Sequence, residues 1–156
     1  MTRNLKHLIT VIVLALLMSA GAFTYKAAGS IKKGNRLYED GKPELALSEY
    51  EKVLEEDPDD PTALYNKAVV LYSAGEYGKA EDAFLRAMAL GKKSVEKRTA
   101  YNIGNTKFRE AERSAGKGRP PESYEQALEY YKRAMELDPE DLDAKYNYEI
   151  TLKRMK

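Results

Sequence analysis

Apolar and polar positions fall into two regimes along the chain. Residues 8–25, LITVIVLALLMSAGAFTY, carry no charged side chain, whereas the residues beyond Lys26 mix apolar and polar positions at helical spacing. The uncharged run lacks the polar face that a surface helix of a small domain needs, and Arg3 and Lys6 precede it. It reads as a membrane segment, since about 18 residues reach roughly 27 Å as a helix, just short of a hydrocarbon core. A secretory signal fits the same stretch, with the small residues Ala20, Gly21 and Ala22 placing cleavage after Ala22. The anchor is favoured because the apolar character continues through Phe23. Basic residues ahead of the run hold that end in the cytoplasm, although Lys32, Lys33 and Arg36 blunt the asymmetry. The expected location is therefore the cytoplasmic membrane, single-pass through residues 8–25 with the remainder extracytoplasmic, or a secreted or periplasmic product.

The second regime repeats itself. Gly41, Ala46, Tyr50 and Val53 recur 34 residues later as Gly75, Ala80, Phe84 and Ala87. Ala127, Tyr131, Ala134 and Pro139 repeat the steps of four, three and five that separate Ala46, Tyr50, Val53 and Pro58. Such steps keep the residues on one helix face, where small alanines admit a neighbouring backbone and a single ring fills the remaining gap. A companion helix in each unit is marked by Gly34, Ala68 and Gly104, at which a larger residue should clash. Asp60 caps ahead of Pro61, and Pro43 opens another helix. The pattern predicts helices over about 28–40, 43–57, 61–74, 77–90, 95–114, 121–137 and 140–155.

Two places break the period. Gly91 and Lys92 stand where the first and third units have Asp-Pro, so the second unit should leave through a glycine-ended helix and a looser joint. About eleven extra residues separate Gly104 from Ala127 relative to Gly34 and Ala46. A helix about two turns longer, ending near Ala115 and Gly116, and a restart at Pro120 and Pro121 account for them. This basic turn reads as a tolerated insertion at an exposed tip more readily than as a partner contact.

Composition removes several function classes. With 26 Lys and Arg against 25 Asp and Glu, the net charge of +1 supplies no field that would seek nucleic acid. The absence of Cys and the single His, His7, exclude a disulfide framework, a thiolate nucleophile, a zinc site and a His-based triad. Acidic clusters around Asp57 and Asp138 lack the ligand alternation and glycine of a calcium loop, and their carboxylates suit helix starts instead. No metal, cofactor or catalytic group is expected, and the chain reads as a binding protein rather than an enzyme.

From about residue 27 to 141 the repeats resemble the tetratricopeptide repeat (TPR) family. The resemblance implies an all-α TPR solenoid. Three helix pairs, about 27–60, 61–94 and 97–141, stack into a superhelix closed by a capping helix at about 140–155, behind an N-terminal hydrophobic helix in residues 1–26. The last helix echoes Ala63-Leu64-Tyr65-Asn66 in Ala144-Lys145-Tyr146-Asn147 and carries Lys153, Arg154 and Lys156 at its outer positions. The resemblance further implies a concave binding surface built from the first helices of the units. Along it lie Asn35 and Tyr38, then Tyr65, Asn66, Val69 and Tyr72, then Arg98, Tyr101, Asn102, Asn105 and Phe108, then Tyr146 and Asn147. Such a ladder suits an extended peptide, because amides donate to and accept from a main chain while phenol rings cover apolar side chains at low entropic cost. Packing between units is a plainer use of the same residues. Asn35, Asn66 and Arg98 fall where chaperone-binding members carry a carboxylate clamp, but Ile31 and Asn102 replace its other cations. An internal or weakly anionic segment is therefore expected rather than a doubly charged terminus.

A second resemblance runs from Ala100-Tyr101-Asn102-Ile103-Gly104-Asn105 through Tyr130-Tyr131-Lys132-Arg133-Ala134 to Asp143-Ala144-Lys145-Tyr146-Asn147-Tyr148-Glu149. These segments are similar to the TPR component of bacterial aerotolerance (Bat) systems. The similarity implies an adaptor working beside membrane-anchored von Willebrand A proteins and a MoxR-type ATPase. Two functions are compatible with these residues. One is an adaptor that binds peptide segments in the groove and assists assembly or maintenance of envelope complexes. The other is a structural module of a fixed membrane-associated or self-associating complex, with the groove filled by another helix.

Overall fold

The computed structural model describes residues 3–91, 93–114 and 122–156, with side chains outside the description at residues 3–8 and 16–25. Seven helices are found among the described residues: α1 (Arg3–Glu39), α2 (Pro43–Glu56), α3 (Pro61–Ser73), α4 (Tyr77–Leu90), α5 (Lys93–Ser114), α6 (Glu122–Leu137) and α7 (Leu142–Arg154). From α2 onward they lie within two residues of the positions read from the sequence, for local reasons. Asp60 Oδ1 accepts from the Thr62 and Ala63 amides at 2.9 and 2.7 Å, and Asp141 Oδ1 accepts from Ala144 at 2.9 Å. Gly41 and Gly75 adopt φ of 73° and 76°, closing α1 and α3 with paired backbone bonds such as Lys42 N to Leu37 O and Glu76 N to Leu71 O, both 2.9 Å. The acidic clusters are thus turns and caps.

Helices pair as α1 with α2, α3 with α4 and α5 with α6, and the units stack through α2 on α3, α4 on α5 and α6 on α7. Among the described residues α1, α3, α5 and α7 also touch in sequence, whereas α2, α4 and α6 do not touch one another. The first helices therefore crowd an inner face and the second helices fan out behind it. Burial obeys the repeat. Ala46, Tyr50 and Val53, Ala80, Phe84 and Ala87, and Ala127, Tyr131 and Ala134 are all at most 3% exposed. They build several small cores, one around each junction, as a stacked array requires. The expected clash is present: a Cβ on Gly34 would lie 2.4 Å from Tyr50 Cε1, and one on Gly104 would lie 2.6 Å from Tyr131 Cε1.

Two expectations change. Among the described residues the uncharged stretch does not form a helix of its own, because α1 runs unbroken from Arg3 through it into the first unit. Among the described residues no helix is long and apolar enough to cross a membrane, so the single-pass placement with an extracytoplasmic TPR domain is not sustained. Lys26, Lys32 and Lys33 follow the uncharged stretch on the same helix, which continues into the first unit. The cleavage proposed after Ala22 falls on side chains outside the described ones. Gly91 ends α4 as expected, at φ −80° and ψ 160°; its missing Cβ matters because one would meet Ala87 O and Val95 Cβ at 2.7 Å. Lys92 and the enlarged turn with Ala115, Gly116, Pro120 and Pro121 lie outside the described residues.

Candidate functional site

Asn35 on α1 is held by two neighbours. Its Oδ1 accepts from the Tyr50 hydroxyl of α2 at 2.8 Å and from Asn66 Nδ2 of α3 at 3.0 Å. Asn105 on α5 repeats the arrangement, accepting from the Tyr131 hydroxyl of α6 at 2.8 Å and from Asn147 Nδ2 of α7 at 2.9 Å. In the unit between them the matching positions hold Val69 on α3 and Phe84 on α4, and neither polar group is present. Each side-chain oxygen that accepts two bonds fixes its amide, so the NH2 group must turn the other way. Among the described residues no acceptor meets Asn35 Nδ2 or Asn105 Nδ2, and both residues line open pockets. Burial raises the pKa of the Tyr50 and Tyr131 phenols, so both remain protonated donors.

The inner face opens into two such pockets. The first, about 230 Å³, is lined by Asn35, Tyr38, Glu39, Tyr50, Tyr65, Asn66 and Val69. The second, about 510 Å³, is lined by Tyr72, Tyr101, Asn105, Phe108, Tyr146 and Asn147, together with Arg109, Glu112, Tyr131, Ile150 and Arg154. Eleven of the thirteen groove residues expected from the sequence thus line one or the other. The remaining two serve Tyr65: Asn102 Nδ2 donates to its hydroxyl at 2.9 Å, and the Arg98 guanidinium lies 4.7 Å from its ring centroid.

Asn66, Asn102 and Asn147 all donate to the unit before them, the last also reaching the Tyr101 hydroxyl at 3.1 Å. They are ties between units. Tyr38 likewise reaches across to Ser73 Oγ at 2.6 Å. The sequence reading missed the cations of the second pocket, Arg109 and Arg154, and took Arg98 as the clear cation and Arg154 as an outer residue. Arg154 points inward because it lies seven residues beyond Asn147, as Arg109 lies seven beyond Asn102, and two helical turns return to the same face. Extending the alignment of α7 on α5 by two more turns was the signal.

Tetratricopeptide repeat family models match residues 31–94 and 122–141. The chain belongs to the tetratricopeptide repeat family. It is 33% identical over 144 residues to the photosystem I assembly protein Ycf3 of Synechococcus elongatus, covering 88% of this chain and 79% of that protein. Among solved structures, the first TPR of Spaghetti (RPAP3) bound to the HSP90 peptide SRMEEVD is similar at a TM-score of 0.70 and 23% identity, covering 83% of this chain and 94% of that one. The TPR domain of Arabidopsis OM64 gives a TM-score of 0.72 at 18% identity, covering 84% and 98%. At these identities the structural likeness speaks for the fold. None of these relatives supports the aerotolerance resemblance or a von Willebrand A partner.

Proposed function

We infer that this TPR chain is an assembly adaptor that holds an extended segment of a client protein along its inner face. The observation that carries the reading is the pair of fixed amides. Asn35 and Asn105 present NH2 donors into the two pockets, with half-buried Tyr65, Tyr72, Tyr101 and Val69 lying between them. Main-chain carbonyls satisfy such donors whatever the side chains are, and the rings cover the apolar positions of the segment. A larger cleft of about 690 Å³ near Pro43, Leu47 and Val70 has mostly apolar walls and no comparable pair of oriented amides. The similarity to a photosystem I assembly protein supports the assembly part of the reading, and the peptide-bound TPR of similar fold supports the groove. The client is an assembly subunit of unspecified kind; nothing in the relatives restricts it to envelope complexes.

Asn66 and Asn102 tie the units together, so a test of binding leaves both in place. The double substitution Asn35→Asp and Asn105→Asp keeps each Oδ1 as an acceptor for its two donors and turns the NH2 groups into carboxylate oxygens. A random linear peptide library selected on the full chain should yield ligands whose affinity falls at least about tenfold in this variant, with the melting temperature retained. Equal affinity in the two proteins, or no selected ligand, would contradict groove binding.

A further inference from the structure

The pocket between α5 and α7 holds a pair of cations that the amide network leaves unused. Arg109 and Arg154 share one register on successive inner helices, and both guanidinium groups converge on Glu112, at 2.9 Å from its Oε2 and 3.7 Å from its Oε1. A guanidinium carries five N–H donors in a planar fork, so a single shared carboxylate leaves most of both forks available. Both side chains are about half exposed, at 52% and 60%. The Tyr72 hydroxyl, and after it Glu112, raise the pKa of Arg109 against the opposing effect of burial. Phe108, Tyr146 and Ile150 form apolar walls beside them. The opposite end of the groove has the opposite sign, since Glu39 lines the pocket of Asn35.

We propose that the α5–α7 pocket is an acidic subsite, taking an Asp or Glu side chain of the bound segment between Arg109 and Arg154 and an adjacent apolar side chain against Phe108 and Tyr146. This rests on the reading that the inner face binds an extended segment, and it adds a direction: the acidic residue lies at the α7 end and away from Glu39. Glu112 is an internal stand-in for the ligand, holding the two forks side by side until a second carboxylate joins them. A carboxylate is the matching chemistry because two half-exposed guanidinium groups offer donors only, in the planar spacing that carboxylate oxygens accept.

The test uses the full chain and two fluorescein-labelled, end-blocked peptides, SLESLESLE and SLQSLQSLQ, with binding read by fluorescence anisotropy at low ionic strength. The acidic peptide should bind about fivefold more tightly than its glutamine counterpart, a preference that shrinks as salt is added. Arg109→Gln and Arg154→Gln should each lower the preference about twofold. Glu112→Gln should raise affinity for the acidic peptide and leave the glutamine peptide unchanged, a gain that misfolding does not imitate. Equal binding of both peptides to the wild type, or weaker acidic binding in Glu112→Gln, overturns the subsite while leaving the groove reading in place. Binding of neither peptide removes both.

Discussion

Asn35, Gly34 and Tyr50 behave as one choice rather than three. Where the second helix offers a tyrosine, the first helix has Gly-Asn, as in Gly34-Asn35 with Tyr50 and Gly104-Asn105 with Tyr131; where it offers Phe84, the first helix has Ala68-Val69. The hydroxyl bonded to Asn35 pins the Tyr50 ring beneath position 34, which leaves no room for a Cβ; without that bond a ring has freedom to settle and an alanine fits. Gly34→Ala alone should therefore destabilise by about 2 kcal/mol through overpacking. Adding Asn35→Val and Tyr50→Phe should recover most of that loss in urea unfolding, and strictly additive losses would refute the coupling. The small residues themselves were legible, because their spacing against Ala46 and Ala80 marks a close crossing. Their coupling to the ring was not, since Tyr and Phe occupy one position in a hydrophobic pattern and differ only through a bond partner on another helix.

At the scale of elements, helix limits could be read because prolines and capping aspartates write them locally: Pro43 and Asp60 begin α2 and α3 where expected, while Asp141, which the sequence reading did not single out, caps α7 within two residues of its expected start. The start of α1 could not. Charge composition divides residues 8–25 from the rest of α1, yet nothing in the stretch interrupts helical hydrogen bonding, so the backbone continues through the division. Ionic ties then join neighbouring helices. Glu49 on α2, only 6% exposed, accepts from Lys33 of α1 at 2.8 Å and from Lys52 at 2.7 Å, and these two bonds lower its pKa against the effect of burial. A lowered carboxylate pKa stabilises the fold above the unfolded value of about 4.3, and that stabilisation is lost as pH falls through the folded pKa. Glu49→Gln should cost about 1 kcal/mol at pH 7, the lysines being half exposed. The difference in melting temperature from the wild type should vanish in acid; a gap independent of pH would show that the charge is not responsible. On α5, Lys107 is 12% exposed and bonds Glu81 of α4 at 2.6 Å. Lys107→Met leaves that carboxylate without its partner and should destabilise by about 2 kcal/mol in the same assay.

For the molecule as a whole, stability is divided among junctions, and the asparagines that line the groove also fasten it. Asn102 crosses from α5 to Tyr65 of α3, so Asn102→Ala should raise amide exchange in α5 more than in α1 while the units on either side stay folded. Unchanged exchange at that junction would deny the tie. Repeat number and the close crossing within each pair came from periodicity, which is a property of the chain, whereas the position of the inner face came from the resemblance to the tetratricopeptide repeat family. The direction of each amide, the inward aim of Arg154 and the meeting of Arg109 with Glu112 depend on how successive units rotate, and that rotation is set by packing between them. The central claim is that a client segment lies along the inner face between the two oriented amides. Its most direct test places a photo-crosslinking benzoylphenylalanine at Val69 or Phe108, or on the outer helices at Leu54 or Leu90, and exposes each full-length variant to a library-selected peptide. Capture from Val69 and Phe108 alone is the predicted result, and capture from Leu54 or Leu90 with none from the inner positions would contradict it.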